Sequence, residues 1–352
     1  MASSTVSAAV CARRKCDQVI VSGSAGAPEV IGEFERIRRF FAPLAGPGGL
    51  GLLDDAALVR CPAGQRLVMT ADAMVAGVHF RAEDPPELIA KKLLRVNLSD
   101  LAAMGARPLY YLLTTALSVA LGAEWVESFA RGLGEDQRFY GVHLLGGDSV
   151  STTGPATLSL TAIGEVAAGA EIRRSGARPG DDVWVSGTIG DAYLGLRVLR
   201  DGAFAGLGPA FADALVTRYQ RPEPRTRLGP RLSGIAHAMI DVSDGLLADL
   251  GHICETSGCA ATVALPEIPF SPAALAILAE EWDNPVSLMT GGDDYELLFC
   301  APPSARGIIA EVAASLALQV ARIGQVEAGA GVRLVDAAGR EVAIETTGYR
   351  HF

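Results

Sequence analysis

The spacing of apolar residues predicts helices and strands that alternate along most of the chain. Apolar residues that recur every three or four positions indicate helices at 33–41, 86–105 and 124–140, and from 192 and 246 onwards. Shorter apolar or alternating runs indicate strands at 67–72, 110–117, 142–145, 157–163, 183–186, 238–240, 286–289 and 297–300. This mixture predicts an α/β (α+β) fold, because strands that alternate with helices pack into shared layers.

The pattern resets near residue 167, and we expect two domains that meet there. Residues 167–180 are rich in small and charged side chains and end in an Arg-Pro-Gly-Asp turn signal. The chain has 352 residues, which exceeds the size of one ordinary core. We therefore assign 29–167 to an N-terminal domain and 168–352 to a C-terminal domain. The first 28 residues are small, polar and mildly basic. They fit a disordered extension or an upstream start codon, and a transit peptide remains open.

The net charge indicates which partners are not expected to bind, and the cysteines indicate the cellular compartment. The net charge is −10, so the surface repels nucleic acid and anionic lipid, and neither is an expected partner. No apolar run of the sequence approaches the roughly 18 residues of a membrane span. Six cysteines occur without a Cys-x-x-Cys pair, which is typical of idle thiols in a reducing cytosol. We expect a cytoplasmic protein without a membrane partner.

Carboxylates follow predicted strands at five places, and this repetition points to a site. One aspartate at a strand end is usually a turn former or a helix cap. Five such places, three of them beside glycine, are harder to explain in that way, and ligands of α/β sheets bind where strand ends and loops converge. The aspartates are Asp54, Asp55, Asp72, Asp148, Asp241, Asp244, Asp293 and Asp294, and Asp100 joins them from a predicted helix.

Convergent carboxylates without histidine or thiolate suit a hard cation. Mg²⁺ is usually shared between such carboxylates and substrate phosphates, and neighbouring glycines let backbone N–H groups approach the phosphates. The chain contains neither a Walker A sequence nor a protein-kinase catalytic loop. Residues 46–51 match a dinucleotide fingerprint in letters only, since no strand precedes them and no amphipathic helix follows. The residues therefore predict a metal-assisted phosphate site of another kind.

An ordered set of motifs resembles the thiamine-monophosphate kinase family from about residue 32 to the end. No single motif is specific, whereas the set in this order is. The motifs are Gly32-Glu-Phe34, Leu53-Asp-Asp-Ala-Ala57, Thr70-Ala-Asp72 with Gly77-Val-His-Phe80, Val96-Asn-Leu-Ser-Asp-Leu-Ala-Ala-Met-Gly105, Gly146-Gly-Asp148, Arg174-Ser-Gly-Ala-Arg-Pro-Gly-Asp181, Ile240-Asp-Val-Ser-Asp-Gly245, Gly291-Gly-Asp-Asp-Tyr-Glu-Leu297 and Gly348-Tyr-Arg-His-Phe352.

The resemblance implies a fold shared with aminoimidazole ribonucleotide synthetase, with two α/β domains and a homodimer built through the N-terminal domains. It implies ATP as co-substrate, several Mg²⁺ ions and thiamine monophosphate as acceptor. The implied metal ligands are Asp55, Thr70, Asp72, Asp100, Asp148, Asp241 and Asp244. The implied nucleotide contacts are Gly147, Asp148, Arg174 and Ser243. The implied contacts to thiamine phosphate are His79, Asp293 and Tyr349.

The implied reaction is in-line transfer of the γ-phosphoryl group of ATP to the phosphate of the substrate. Both reactants are polyanions, so bound cations must offset their repulsion. The accepting oxygen is already anionic, and no residue is therefore expected to act as a general acid or base. Positioning and charge stabilisation would supply most of the rate.

The sequence departs from the family pattern at four places. Leu52-Leu53 stands where Ile-Gly usually precedes the paired aspartates, and Ala71 removes a hydroxyl from the usual Ser-Thr-Asp. Asp293 replaces a usual glutamate and is one methylene shorter. An arginine that commonly follows Gly-Gly-Asp is absent from Ser149-Val-Ser151.

Two alternative functions are open. The first is a relative such as a selenophosphate synthetase, but residues 46–55 contain neither the reactive Cys nor the Lys that it would need. An aminoimidazole ribonucleotide synthetase is disfavoured by Val-Ser-Asp-Gly and the terminal Gly-Tyr-Arg-His-Phe. The second is a non-catalytic nucleotide-binding scaffold, which would not need seven candidate metal ligands.

Overall fold

Two β-sheets organise the protein, and the computed structural model describes residues 32–344 and Gly348. The strands of the first sheet are β1 (Gln65–Val75), β2 (Arg107–Ser118), β3 (His143–Thr152) and β4 (Thr157–Ala167). The strands of the second sheet are β5 (Asp182–Ser186), β6 (Ala238–Asp241), β7 (Ala260–Ala264), β8 (Leu297–Ala301), β9 (Val320–Glu327) and β10 (Gly331–Val335).

Helices cover these sheets and connect them. Among the described residues the α-helices are α1 (Glu33–Arg36), α2 (Pro86–Ala103), α3 (Ala123–Tyr140), α4 (Asp191–Asp201), α5 (Pro209–Gln220), α6 (Leu246–Ser257), α7 (Pro272–Ala279), α8 (Pro285–Thr290) and α9 (Arg306–Ser315). The mixture of helix and sheet agrees with the α/β (α+β) expectation.

The first sheet buries one face and exposes the other. Its strand order is β1-β4-β2-β3, with β4 antiparallel to both neighbours and β3 parallel to β2 at the edge. The apolar sides of α2 and α3 pack on the inner face, where Leu93, Phe129 and Leu158 are fully buried. The outer face carries exposed apolar side chains such as Met69, which is 62% exposed, and Leu112. Such a face is typical of a surface that another chain covers.

The second sheet is mostly antiparallel. Its strand order is β10-β7-β9-β5-β8-β6, and only the edge pair of β7 and β10 is parallel. Residues Val183, Leu250 and Leu298 belong to the core on the α6 side. On the other side the rings of Trp184 and Phe299 stack with their centroids 6.3 Å apart.

Helix α2 belongs to both cores. Leu93, earlier in the helix, lies in the core of the first sheet, whereas Ala102 and Ala103 lie in a cluster with Met239 and Phe299 of the second sheet. Gly105 follows the helix with φ 70°, the left-handed conformation expected of a C-terminal glycine. Side chains of α2 therefore face a space that both sheets border.

Three predictions of secondary structure were wrong. Residues 286–289 form helix α8 and not a strand, because Asn284 caps the helix by accepting the N–H of Ser287 and Pro285 occupies its first turn. Strand β1 runs past Asp72 to Val75, and β3 runs through Gly146-Gly147-Asp148 to Thr152. These aspartates therefore lie within strands and not at strand ends.

The expected helix at 33–41 also differs. Only Glu33–Arg36 is α-helical, and the chain continues as a π-helix over Ile37–Phe41 and a 3₁₀ turn at Ala42–Leu44. A π-helix has more residues per turn than an α-helix, so the expected spacing is not kept: Phe40 and Phe41 are buried, whereas Phe34 is 78% exposed. The four apolar residues therefore do not share one buried face.

Candidate active site

A cavity of about 370 Å³ lies between the two sheets and collects most of the expected site residues. Strand β1, helix α2 and the loops after β6 and α8 border it. The expected site residues in its lining are Asp72, His79, Asp100, Asp241, Ser243, Asp244 and Asp293. Thr70 joins this group through a hydrogen bond of 2.7 Å from its Oγ1 to Oδ2 of Asp100.

The β1 and α2 side of the cavity is held by paired contacts. Thr70 and Asp72 are two residues apart in β1, so their side chains point to the same face, toward α2. The backbone N–H of Asp72 donates to Oδ1 of Asn97 at 3.1 Å, and Asn97 Nδ2 donates to the carbonyl of Leu93. Asn97 and Asp100 are one helical turn apart, which places both against the same strand. The sequence expectation that these residues converge is met here.

The loop after β6 is braced by a buried carboxylate that sequence reasoning did not single out. Oδ2 of Asp249 accepts the backbone N–H groups of Ser243, Asp244 and Gly245, each at 3.1 Å. Gly245 has φ 129°, a conformation that side-chain-bearing residues rarely adopt. The brace fixes the path of the loop, so that Asp241 at the strand end and Asp244 in the loop both reach the cavity.

The loop after α8 is attached to the same segment. The N–H of Asp293 donates to the carbonyl of Ser243 at 2.7 Å, and the N–H of Tyr295 donates to the carbonyl of Val242 at 2.8 Å. Asp293 and Tyr295 both have positive φ, 68° and 53°, which is uncommon for residues with side chains. A Cβ at Gly292 would overlap the carbonyl oxygen of Ser243, so only glycine permits this approach.

The carboxylates of the cavity repel one another and are shielded from water. Burial, then the charge of Asp100 and a hydrogen bond to it, raises the pKa of Asp72 to about 6. Burial also raises the pKa of Asp100, although Thr70 and Arg174 act in the opposite direction. Burial and the charge of Asp100 raise the pKa of Asp241 well above its usual value. Anions crowded in this way are stabilised by a cation that they share.

The donor set fits a hard divalent cation. Five aspartates line the cavity, the hydroxyl of Thr70 donates to one of them, and no cysteine is among the described lining residues. One ligand atom from each of Asp244, Asp249 and His252 lies within 4.8 Å of the others. His252 is exposed, and an acidic loop of this kind also occurs without a metal.

His79 and Arg174 lie at the margins of the cavity. Nδ1 of His79 accepts the N–H of Val75 at 3.0 Å, and the residue is part of the cavity lining. Arg174 is exposed and lies near enough to Asp100 for its charge to lower the pKa of that carboxyl. Their expected contacts, His79 to thiamine phosphate and Arg174 to the nucleotide, stay predictions.

Three expected residues lie elsewhere in this chain. Asp55, Gly147 and Asp148 line a second cavity of about 540 Å³ at the β3 edge of the first sheet. A Cβ at Gly147 would overlap the carbonyl oxygen of Leu113, so the Gly-Gly sequence permits close packing of β3 on β2. Asp55 and Asp148 are both exposed there.

The first sheet separates the two groups. The hydroxyl of Ser149 lies 3.2 Å from that of the buried Thr115, on the helix side, so the preceding Asp148 points to the outer face. Asp72 points to the helix side, and β1 and β3 are the opposite edges of the sheet. The expectation that all seven metal ligands converge is therefore not met within the described part of one chain.

Two cavity residues were missed by sequence reasoning, and one expected residue cannot be placed. Lys92 and Tyr219 line the cavity, and Lys92 could have been found because it stands two helical turns before Asp100 on α2. Tyr349 lies outside the described residues. Its neighbour Gly348 is described, and a Cβ there would lie 2.6 Å from the carbonyl oxygen of Asp244, next to the cavity loop.

Two family models match this chain, one over the region of each β-sheet. Residues 53–166 match the family model "AIR synthase related protein, N-terminal domain", and residues 178–337 match "AIR synthase related protein, C-terminal domain". The thiamine-monophosphate kinase of Caulobacter vibrioides is 43% identical over 324 residues, which cover 91% of this chain and 90% of that protein.

Solved structures give the same result. The crystal structure of thiamine-monophosphate kinase from Stenotrophomonas maltophilia is 42% identical with a TM-score of 0.75, covering 87% of this chain and 95% of that one. A structure described as AaThiL complexed with AMPPCP and TMP is 32% identical with a TM-score of 0.73, covering 91% and 97%. By sequence, fold and cavity, the chain belongs to the thiamine-monophosphate kinase family of AIR synthase related proteins.

Proposed function

We propose that the chain transfers the γ-phosphoryl group of ATP to thiamine monophosphate. This reaction makes thiamine diphosphate and belongs to thiamine diphosphate biosynthesis. The observation that carries this proposal is the convergence of buried, mutually repelling aspartates in one cavity of a chain of this family. The relatives are thiamine-monophosphate kinases, which are enzymes, and one related structure binds AMPPCP together with TMP.

We propose Mg²⁺ as the cation that this donor set would hold. Thr70, Asp72, Asp100, Asp241 and Asp244 would ligate several such ions directly or through water, and the Thr70 hydroxyl also donates to Asp100. Bound Mg²⁺ would neutralise phosphate charge as the transferred group passes between two anions.

The residues of the chain would supply positioning and not proton transfer. Asp249 fixes the metal-side loop through three backbone N–H groups, and the backbone bonds of Asp293 and Tyr295 fix the loop beside it. His79, Asp293 and Tyr349 are the proposed contacts to thiamine phosphate. Gly147, Asp148, Arg174 and Ser243 are the proposed contacts to the nucleotide. An acceptor oxygen that is already anionic needs only alignment.

We propose that the protein works as a homodimer whose chains meet through the outer face of the first sheet. That face exposes Met69, Leu112 and Val150. Asp148 points from the same face, so a second chain packed there is the proposed way to bring Asp148 and Asp55 to a complete site. In this arrangement 29–167 would be the metal, ATP and dimerisation domain, and 168–352 the second α/β domain.

The cytoplasm is the proposed compartment. The cysteines that the structure describes are free thiols, Cys61 on the surface and the other three buried, which suits a reducing environment. Across residues 32–344 no helix is both long enough and apolar enough to cross a bilayer.

A product assay tests the proposed function. Purified protein is incubated with ATP, Mg²⁺ and thiamine monophosphate, and chromatography follows thiamine diphosphate and ADP. We expect the two products in equal amounts, and none when either Mg²⁺ or thiamine monophosphate is omitted. ATP binding without thiamine diphosphate would refute the proposal and favour a relative with another acceptor, or a non-catalytic scaffold.

A further inference from the structure

A buried lysine lies among the carboxylates of the cavity. Lys92, on α2, is only 4% exposed, and its ammonium group forms an ion pair with Asp293. The same Nζ lies 3.7 Å from the ring centroid of Tyr219 on α5. All three side chains line the cavity. Among its described lining residues, Lys92 is the only lysine or arginine, against five aspartates.

The position of this charge is not explained by packing. A buried ion pair is seldom more stabilising than an apolar pair of the same volume, because both charges lose their hydration. The contact with the Tyr219 ring compensates part of that loss. The Asp293 side chain remains 27% exposed, so the pair faces open cavity and not solid core.

The lysine also lies close to the metal-side carboxylates. Burial, and then the charges of Asp293, Asp72 and Asp241 in that order, raise the pKa of Tyr295, and all four residues line the same cavity. Lys92 is paired to the first of them. Its helix carries Val96 and Asp100 at one-turn intervals along the same cavity wall.

We propose that Lys92 binds the phosphate of the acceptor substrate, with Tyr219 and Asp293 holding its ammonium group in place. This inference rests on the proposed function and adds a binding residue to it. The expected metal ligands neutralise phosphate from the Asp100 end of the cavity, and Lys92 does so from the Asp293 end, where the thiamine side is expected. An ammonium group is a compact point charge that suits a phosphate with free oxygens.

The experiment measures which part of the ligand the lysine recognises. Isothermal titration calorimetry is carried out with Mg²⁺ and AMPPCP, using thiamine monophosphate and unphosphorylated thiamine as paired ligands, and with AMPPCP alone. The variants are Lys92→Met, Lys92→Gln, which keeps a hydrogen bond to Asp293 without the charge, and Lys92→Arg. The control is Lys91→Met, because Lys91 is the next residue of α2 and pairs with Glu135 on the surface.

We expect Lys92→Met and Lys92→Gln each to lower the affinity for thiamine monophosphate by about 10- to 100-fold, which is the contribution of a hydrogen bond to a charged group. The affinities for thiamine and for AMPPCP should change by less than about 3-fold. Lys92→Arg should keep part of the preference for the phosphorylated ligand. Lys91→Met should bind all ligands as the wild type does. Gln is the second neutral variant, so the test stands even where Met does not fold.

Three outcomes would overturn the inference. An equal loss of affinity for thiamine and for thiamine monophosphate would make Lys92 a structural residue. A loss of affinity for AMPPCP alone would assign Lys92 to the nucleotide. Unchanged affinities would mean that Lys92 contacts neither ligand. A wild-type protein that makes no thiamine diphosphate would instead refute the proposed function. A working wild type with unchanged variants would refute only the role of Lys92.

Discussion

The two cavities of this chain use the same residue type in opposite ways. The cavity between the sheets buries Asp72, Asp100 and Asp241 beside one another, and their carboxyl pKa values rise as a result. At the β3 edge, Asp55 and Asp148 are both exposed. The first cavity is walled by elements of both sheets, whereas the second opens on a sheet face that carries exposed apolar residues.

The difference teaches which part of a site one chain can build. Crowded, buried carboxylates are costly without a cation, so their arrangement is evidence for a ligand in itself. Exposed carboxylates cost almost nothing and carry no such evidence until a partner surface covers them. The first cavity is therefore complete enough to interpret alone, and the second is interpretable only as part of an assembly.

The largest expected effect comes from removing one carboxylate from each cavity. We expect Asp72→Ala and Asp148→Ala each to lower kcat by more than about 1,000-fold, because both would remove charge stabilisation at the transferred group. Circular dichroism should show both variants folded, since neither side chain belongs to an apolar core. Near-wild-type turnover in Asp148→Ala would mean that the aspartates at the β3 edge take no part in phosphoryl transfer.

Co-expression of the two inactive variants sharpens the comparison. If each site takes Asp72 from one chain and Asp148 from its partner, each mixed dimer contains one intact site of two, and the purified mixed dimer should recover about half of wild-type activity. If both residues served the same chain's site, every site in the mixture would lack one ligand. Purification through two different affinity tags and a product assay on the mixed dimer decide between the two cases.

A charge on the outer sheet face should break the assembly while every aspartate of both cavities is kept, although Leu112 also lines the second cavity. We expect Leu112→Glu to lower dimer affinity by about 10- to 1,000-fold, because an unpaired charge would be buried in an apolar interface. Sedimentation velocity across a range of concentrations measures the change. Leu275→Glu is the matched control, since Leu275 is an exposed leucine on α7, away from this face. Unchanged dimers in Leu112→Glu would mean that the chains meet elsewhere.

The smallest expected effect is a gain in stability. The pKa of Asp72 is raised from 3.8 to about 6, so the folded state binds a proton more readily than the unfolded state. Its contribution to stability is present below its unfolded pKa and is lost as pH rises through about 6. Without metal at pH 7.5, Asp72→Asn should therefore raise Tm by about 2–4 °C.

Differential scanning calorimetry at pH 5 and pH 7.5 checks this expectation. The gain from Asp72→Asn should shrink at pH 5, where wild-type Asp72 is largely protonated, and added Mg²⁺ should stabilise the wild type more than the variant at pH 7.5. A variant less stable than the wild type at both pH values would contradict the raised pKa.

Much of this fold can be predicted from the local spacing of apolar residues. The predictions that were wrong have local causes as well. Helices α2 and α3 and strand β4 were predicted to within a few residues, because their apolar spacing is regular. The segment at 286–289 was wrong because its apolar run is short and its capping residue, Asn284, lies outside it. For so short a run, the cap and Pro285 decide between helix and strand.

The site was predicted as a set but not as a geometry. Motif order identified Asp72, Asp100, Asp241 and Asp148 together, yet the sheet register places the last on the opposite face from the others. A shift of one residue in a strand reverses a side chain's direction, and the sequence alone does not specify this. Lys92 was missed because no motif contains it, although its spacing from Asp100 carried the information.

The two backbone hydrogen bonds between the loops at 242–245 and 291–295 have a thermodynamic consequence. They make a single cooperative unit of the segment proposed to bind the cation and the segment proposed to contact the acceptor. A ligand that orders either segment lowers the conformational entropy that the other ligand still has to remove. Cation and acceptor should then raise each other's affinity by the same factor, even though they contact different side chains.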